Sequence, residues 1–417
     1  MSLFPQTDNM SDTTIKYHTL SNGLRAVASM SASPVEHCGV AVNAGSRDES
    51  PELHGLAHFV EHTIFKGTGS HRASYVRNRM ELVGGELNAY TTKEETVVYS
   101  TFPAGHLGRA FALIGEMIAD ATFPDAELAK EKFVVGEEID TYLDTPSDAI
   151  FDDFEELIYA GSPLAHNILG TRDALGRFSS ADCRRWLEER FTPGRMVLFY
   201  SGPEKPEKVF ALAEKYFGQL RRPDTPLLRE VPPVCEPFDH VNSTRDSYQA
   251  HTIIGSRIPG LLDPARIDVA LLLNILGGPG MNSLLNVALR ERYGLVYTIE
   301  ASTSLMSDNG LLTIYFGCDP DDVKRCLRLA GRVIDTLQSS PLSERKLETA
   351  KRQFIGELTV CSINSEQVTL SMGRSTLYHG RAIPLADTVE AIHAITPERL
   401  LAAAARHLSP LSRLTLK

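Results

Sequence analysis

Residues 53–65 read LHGLAHFVEHTIF, and within them His58-Phe59-Val60-Glu61-His62 has the pattern HxxEH. If this stretch is helical, its two histidines lie one turn apart on one face, close enough for both imidazoles to reach one Zn²⁺ at about 2.0–2.1 Å. The apolar side chains form a stripe on the other side of that helix: Leu56, Val60 and Ile64. The pattern therefore predicts a helix that packs with one face and presents a metal-binding pair on the other.

Glu61 lies on the histidine face, directly before His62 in the chain. A carboxylate there suits the general base of a metal-dependent hydrolase, which takes a proton from a metal-bound water, better than it suits a third metal ligand. The alternative interpretation is a solvated helix face that carries two unrelated histidines.

A catalytic zinc takes three protein ligands and leaves a fourth position for water, so a third donor must come from elsewhere in the chain. The helical pattern PDAELAKEKFVVGEEIDTYL, residues 124–143, supplies four acidic candidates: Glu131, Glu137, Glu138 and Asp140. Glu131 and Glu138 are seven residues apart, two turns along one face, so one could ligate the metal while the other supports it. Spacing alone does not choose among the four, and without HxxEH they would indicate an exposed acidic face.

The composition is that of an ordinary globular protein, with 417 residues, 42% of them apolar and 23% charged. This length suggests two domains or one large one. The six cysteines are scattered without a CxxC pair, which favours a reducing compartment.

The N-terminus does not resemble a secretory signal and no run of about 18 apolar residues occurs, so we expect a soluble cytoplasmic protein. The formal charge of −11 argues against nucleic acid and anionic membranes as partners.

The order of predicted strands and helices repeats along the chain. Asn22-Gly23 between two β-prone runs predicts an opening hairpin, and GGELNAYTTKEETVVYSTF predicts another. Residues 221–240 hold five prolines, too many for a helix or a central strand, and beyond them a similar succession of strands and helices begins. The predicted division is a catalytic domain at 15–222, a Pro-rich linker at 223–244 and a second domain at 245–417.

The two halves also match in detail. Pro124 and Pro341 begin similar helical patterns, and they are separated by 217 residues, the same offset as Thr171 and Thr388. Self-similarity over so long a period indicates a duplicated domain rather than a solenoid. We therefore expect an α+β fold of two homologous domains, each a mainly antiparallel sheet covered by helices.

Three segments of the first half resemble the pitrilysin/insulysin/mitochondrial processing peptidase family of inverted zinc metallopeptidases. They are GSRDESPELHGLAHFVEHTIFKGT, GGELNAYTTKEETVVY and EKFVVGEEIDTYLDTPSD. In that family the third zinc ligand follows HxxEH by about 76 residues, and a supporting glutamate precedes it by seven. The resemblance therefore implies that Glu138 is the third ligand and that Glu131 supports the site from behind.

The second half adds LGGPGMNSLLNVALRERYGLVY, which looks like the family's glycine-rich segment and places Arg290 and Tyr297 seven residues apart, as the family's substrate-contacting pair is. A guanidinium can grip a peptide carbonyl or carboxylate, and a phenol can donate to a developing oxyanion. The structural alternative is an arginine at a helix end and a tyrosine in the core. The second half has no HxxEH, so the resemblance implies one catalytic and one degenerate half.

The segment Asn88-Ala89-Tyr90-Thr91 is Thr-rich and alternating, and such a strand at a sheet edge can pair with an extended peptide through its backbone. Similar segments in the family lie beside the substrate. Asn88 and Ala89 are therefore candidate substrate-binding residues, against the alternative of an ordinary hairpin.

The sequence thus predicts a zinc-dependent endopeptidase that cleaves unfolded peptides or presequence-like segments in a closed chamber. One Zn²⁺ per chain would be held by His58, His62 and Glu138, with Glu61 activating the water. The resemblance also implies a homodimer, because in chains of this length a second subunit commonly supplies the opposing half of the chamber. The alternative function is a non-catalytic or partner-dependent structural subunit of a larger complex.

Overall fold

A computed structural model describes residues 15–223, 226–243 and 248–417. The first fourteen residues and part of the predicted linker lie outside the described residues. In chain order the strands are β1 (Ile15–Thr19), β2 (Arg25–Met30), β3 (Val35–Val42), β4 (Glu86–Thr91), β5 (Thr96–Pro103), β6 (Met196–Gly202), β7 (Asp239–Asn242), β8 (Ala250–Ile258), β9 (Val296–Leu305), β10 (Gly310–Cys318) and β11 (Ser412–Leu416).

The helices lie mostly between these strands, as the repeated order predicts. They are α1 (Leu56–Thr63), α2 (Ala73–Glu81), α3 (Leu107–Asp120), α4 (Asp125–Leu143), α5 (Pro146–Ile158), α6 (Arg172–Arg177), α7 (Ser180–Arg190), α8 (Pro206–Phe217), α9 (Arg266–Gly277), α10 (Val323–Ser339), α11 (Glu344–Cys361), α12 (Ser365–His379), α13 (Leu385–His393) and α14 (Pro397–His407). Among the described residues, no helix combines the length and the apolar character needed to cross a membrane.

The chain divides into two compact units, each discontinuous in sequence. Unit 1 holds the described residues of Met1–Val134, Asp173–Leu228 and Asn364–Ile383. Unit 2 holds those of Val135–Arg172, Arg229–Ile363 and Pro384–Lys417. The boundary between Val134 and Val135 falls inside α4, which is one uninterrupted helix.

Unit 1 is built on a six-stranded sheet in the order β1-β2-β6-β3-β5-β4. All neighbouring strands are antiparallel except β2 and β6, which run parallel. The predicted opening hairpin is confirmed, since β1 pairs with β2 and Gly23 adopts a left-handed φ of 90° in the turn between them. The second hairpin joins β4 to β5, and this leaves β4 as an edge strand of the sheet.

Unit 2 repeats this topology. Its sheet has the order β7-β11-β8-β10-β9, and its parallel pair is β7 with β11. Removing β1 from the first sheet leaves β2-β6-β3-β5-β4, which matches the second sheet strand for strand, with the parallel pair in the same place. The α+β fold with two similar sheets is confirmed, and the shared topology supports an internal duplication.

Two segments lie in a different unit from the one that the continuous ranges 15–222 and 245–417 suggest. Val135–Arg172, which contains α5, belongs to unit 2, and Asn364–Ile383, which contains α12, belongs to unit 1. Each sheet is therefore covered in part by a helix from the other half of the chain. The predicted linker 223–244 also ends in β7, which is a strand of the second sheet rather than a connection.

The packing of α5 and α12 explains why each of these helices belongs to the unit of the other half of the chain. The apolar side chains of α5 are buried in a cluster with Ile253 of β8 and Leu414 of β11. On α12, Gly373 lets the helix approach the first sheet so closely that an added Cβ would lie 2.4 Å from the ring of Phe199. Burial of apolar surface, rather than position in the sequence, decides which sheet each helix covers.

Candidate metal centre

The N-terminus of helix α1 is fixed by a glycine turn and by a capping carboxyl group. Gly55 precedes it with a left-handed φ of 96°, a conformation that favours glycine. The two oxygens of the Glu49 carboxyl accept hydrogen bonds from the backbone N–H groups of Gly55 (2.8 Å) and Ala57 (2.6 Å). These bonds satisfy donors of the first turn that have no partner within the helix. The predicted apolar stripe is buried, because Leu56, Val60 and Ile64 are each 1% exposed.

The opposite face of α1 carries the HxxEH side chains. His58 is buried and His62 half-buried, and their ring centroids lie 4.5 Å apart. Burial, and secondarily the neighbouring His62, lowers the pKa of His58 to about 3, which keeps the imidazole neutral. A neutral imidazole offers the lone pair that a metal needs. Glu61 is half-buried and lines the same cavity as His62.

Helix α4 carries a potential third donor. Single ligand atoms of His58, His62 and Glu138 all lie within 4.8 Å of one another. Glu138 follows Glu131 by seven residues, two turns, on the same continuous helix. Two imidazoles and one carboxylate are a donor set that catalytic zinc accepts, with a fourth position left for water. The residues present therefore fit a zinc ion.

The other three acids of α4 have different partners. Glu131 lies behind His62, with 3.1 Å between Glu131 Oε1 and His62 Nδ1. Its second oxygen lies 2.6 Å from Nζ of Lys66. Glu137 and Asp140 instead pair with Arg172. The structure thus separates four acids that spacing alone left equivalent.

The contact with Glu131 also orients His62. When Nδ1 carries the imidazole proton and donates it to Glu131, Nε2 is left with the lone pair for a metal. Lys66 contacts the other oxygen of this carboxylate and lies four residues after His62, beyond the end of α1. The sequence alone did not indicate Lys66, because it lies past the last helical residue, Thr63, where the i,i+4 spacing rule for helices no longer applies.

A cavity of about 510 Å³ opens beside these residues. Its wall includes Glu61 and His62 of α1 and both predicted substrate-binding residues, Asn88 and Ala89, on the edge strand β4. Glu131, which the sequence predicts as the supporting glutamate, also lines the cavity. The lining residues that the sequence did not indicate are Phe65, Lys66, Ala73, Arg77, Glu81, Glu86, Leu87 and Glu127. Most of them come from α2 and from the segment that follows α1.

Glu49 is a second residue that the sequence reasoning missed. It is 7% exposed, and burial raises its pKa to about 8 although the bonds from Ala57 and Gly55 act in the opposite direction. No spacing rule predicts that Glu49, six residues before Gly55, caps the helix that follows this glycine. Its role as a helix cap becomes apparent only when the chain turns back over α1.

Arg290 and Tyr297 both belong to unit 2. Arg290 lies in a short π-helical turn, Asn286–Glu291, and its guanidinium carbon is 5.9 Å from the ring centroid of Tyr297 on β9. The alternative of a core tyrosine is wrong, because Tyr297 is 80% exposed. The pair lines a separate cavity of about 310 Å³ together with Gly278 and Gly280.

Comparisons with known proteins agree with this geometry. Residues 26–172 match the family model of insulinase, peptidase family M16, and residues 177–354 match that of the peptidase M16 inactive domain. A Bacillus subtilis protein named an uncharacterized zinc protease is 30% identical over 93% of this chain and 94% of its own length. A Mycobacterium tuberculosis protein named likewise is 31% identical over 94% of this chain and 90% of its own length. These names support a zinc protease in general.

Solved structures share the fold. The crystal structure of a protease from Helicobacter pylori matches with a TM-score of 0.89 at 19% identity, over 97% of this chain and 99% of that one. A peptidase M16 inactive domain from Pseudomonas fluorescens also matches with a TM-score of 0.89, at 18% identity over 97% of both chains. The predicted family resemblance is confirmed: the chain belongs to the insulinase family, peptidase family M16, and is of its short two-domain type.

Proposed function

We propose that this protein is a zinc-dependent endopeptidase that cleaves unfolded peptides or presequence-like segments. The observation that carries the proposal is the convergence of His58, His62 and Glu138, with ligand atoms within 4.8 Å, beside a cavity bordered by an edge strand. His58, His62 and Glu138 would hold one Zn²⁺ per chain. Bound there, the ion would act as a Lewis acid that polarises the peptide carbonyl and makes water more acidic.

Glu61 is the general base in this proposal. Its carboxylate takes a proton from the attacking water and returns it to the amine that leaves. It is half-buried at the cavity wall, so its carboxylate is open to the cavity while its helix is fixed by the buried stripe behind it. Glu131 acts through His62, since the contact with Nδ1 fixes the orientation of the imidazole.

The edge strand β4 suggests how the substrate binds. A strand with one unpaired edge presents backbone N–H and C=O groups to which an extended peptide can add as a further strand. Asn88 and Ala89 lie on β4 and line the cavity that also contains Glu61. Strand pairing depends on hydrogen bonds to the peptide backbone rather than on side chains. We therefore expect unfolded substrates of varied sequence, bound in the proposed closed chamber.

Arg290 and Tyr297 are proposed to act on the substrate from the second unit. Arg290 would grip a peptide carbonyl or carboxylate, and Tyr297 would donate to the oxyanion that forms during cleavage. Their exposure supports this role. We further propose that the protein works as a homodimer. The six cysteines, all free thiols, suit the cytoplasmic location proposed for it.

The test is cleavage of a mixture of unfolded peptides by the zinc-loaded protein and its Glu61→Gln variant. We expect the variant to lose at least about a hundredfold in kcat, the range for a general base, while it still binds one zinc per chain. The matched control is Glu52→Gln, an exposed glutamate shortly before α1. Cleavage that persists in Glu61→Gln would contradict the role of Glu61. Bound zinc without any cleavage by the wild type would favour the non-catalytic or partner-dependent subunit.

A further inference from the structure

A second cavity, of about 720 Å³, adjoins the cavity of the metal centre. It is formed by the segment between α1 and α2, the start of α2 and the start of α4. The two cavities share four lining residues, which are Lys66, Ala73, Arg77 and Glu127. The two cavities therefore adjoin along these four residues, and we call the second one the basic cavity.

The two cavities differ in charge. The basic cavity is lined by the cationic residues Lys66, Arg72, Arg77 and Lys130, with Glu127 as the acidic lining residue. The charged residues that line the cavity of the metal centre are mostly acidic, with five glutamates against Lys66 and Arg77; the glutamates are Glu61, Glu81, Glu86, Glu127 and Glu131. A groove lined by one sign of charge concentrates the opposite sign, so the basic cavity favours an anionic group.

Some of the positive charge is already paired within the protein. Lys66 lies 2.6 Å from Glu131, and Lys130 lies 2.6 Å from Glu127. Among the described residues, however, neither Arg72 nor Arg77 lies within ion-pair distance of a carboxylate. Both arginines are exposed at the cavity wall, so their guanidinium groups remain available to a ligand.

The pKa of Glu127 reflects the positive charge around the basic cavity. Its pKa is lowered first by the hydrogen bond from Lys130 and then by the charges of Lys130, Lys66 and Arg77. A carboxylate is thus favoured in its ionised form at the wall of the basic cavity. A carboxylate brought by a ligand to Arg72 and Arg77 would meet similar surroundings.

We propose that the basic cavity is a specificity subsite that receives an acidic side chain of the peptide substrate, with Arg72 and Arg77 as the residues that select it. This inference rests on the proposed function, because it assumes that a peptide is cleaved in the adjoining cavity. A guanidinium group forms paired hydrogen bonds with a carboxylate, and the neutral amide of glutamine does not reproduce the charge. Asp or Glu is therefore preferred at one position on one side of the cleaved bond.

The test begins with cleavage-site mapping of a diverse mixture of unfolded peptides by mass spectrometry. Enrichment of Asp and Glu at one position then defines a matched pair of peptides that differ by Glu against Gln there, both amidated so that no terminal carboxylate competes. We expect kcat/KM for the Glu peptide to exceed that for the Gln peptide about fivefold, as suits partly exposed ion pairs. The ratio should fall with added salt, which screens exposed charges.

Variants identify the residues that select the charge. In Arg72→Ala/Arg77→Ala the ratio of the two kcat/KM values should fall to about one, as expected when exposed ion pairs are removed. The matched control is Arg79→Ala, since Arg79 lies on the same helix, stacks over Tyr75 and lines neither cavity. It should keep the wild-type ratio. A ratio that the double variant leaves unchanged would overturn the assignment.

The outcomes separate this inference from the proposed function. If the wild type cleaves both peptides equally, the subsite is refuted and the endopeptidase stands. If the zinc-loaded protein cleaves nothing in the mixture, the proposed function fails, and the subsite is then judged from fluorescence anisotropy of two labelled, amidated peptides of one sequence that differ only by Glu against Gln. Tighter binding of the Glu peptide that is lost in the double variant would support the subsite, and equal binding would overturn it.

Discussion

Glu131 joins His62 to Lys66: one carboxylate oxygen lies 3.1 Å from His62 Nδ1, and the other lies 2.6 Å from Lys66 Nζ. The carboxylate therefore stands between an imidazole and an ammonium group, and it contacts Nδ1 of His62, which leaves Nε2 as the nitrogen that would hold a zinc ion. It also balances the positive charge of Lys66 next to the proposed site of a divalent cation. The contact thus links the orientation of a proposed metal ligand to the charge of a neighbouring lysine.

Removing Glu131 should weaken zinc binding. We expect Glu131→Ala to lower zinc affinity by about 10- to 100-fold, because His62 loses its orienting partner and Lys66 loses its counter-charge. The measurement is a competitive titration against a chelating dye, with thermal unfolding of the metal-free protein to verify folding. Glu137→Ala is the matched control, because this exposed glutamate of the same helix pairs with Arg172. Equal affinities for the two variants would contradict the assigned role.

Glu49 should make the stability of the protein depend on pH. Burial raises its pKa from 4.5 to about 8, so between these values the folded protein retains a proton that the unfolded chain has released. Stability therefore falls as pH rises through this range, by at most about 1.4 kcal/mol per pH unit from this group. The measurement is the free energy of unfolding in urea at several pH values.

The Glu49→Gln variant removes this titration and should show a correspondingly smaller loss of stability between about pH 5 and 8. Glu52→Gln serves as the control, because Glu52 is an exposed glutamate nearby and its replacement should keep the wild-type slope. If wild type and Glu49→Gln lose stability in parallel, the buried acid is not the source of the pH dependence.

The local features of the fold could be predicted from the sequence. Helical periodicity is a local property, so the face shared by His58 and His62 and the buried stripe behind it follow from spacing alone. The turn at Asn22-Gly23 is local in the same way. These predictions needed no knowledge of how distant parts of the chain pack.

The remaining features depend on tertiary packing. The direction in which α4 presents Glu138 rather than Glu137 is set by how that helix packs, so its own periodicity leaves both open. The exchange of α5 and α12 depends on apolar contacts between distant segments, such as Gly373 with Phe199. The basic cavity is likewise lined by Arg77 of α2 and Lys130 of α4. No local sequence pattern predicts that these two helices lie close together.

Substrate pairing with β4 predicts an alternating response to backbone methylation. Along a β-strand successive amide groups point to opposite sides, so every second peptide N–H would face β4. N-methylation of such an amide should raise KM between about twofold and tenfold, the range for one hydrogen bond, and methylation of the next should do much less. Asn88→Ala should change KM no more than the control Asn78→Ala. A methylation scan without alternation would argue against strand addition.

The homodimer proposal predicts that two inactive variants restore each other if Arg290 and Tyr297 serve the zinc site of the partner chain. Mixing Glu61→Gln with Tyr297→Phe, followed by subunit exchange, creates mixed dimers in which one site has both residues intact. Activity should then recover to about a quarter of that of the wild type, because about half of the dimers are mixed and each has one working site of two. Each variant alone and a mixture without exchange are the controls. No recovery in mixed dimers, verified by differential tags, would mean that Tyr297 serves the zinc site of its own chain.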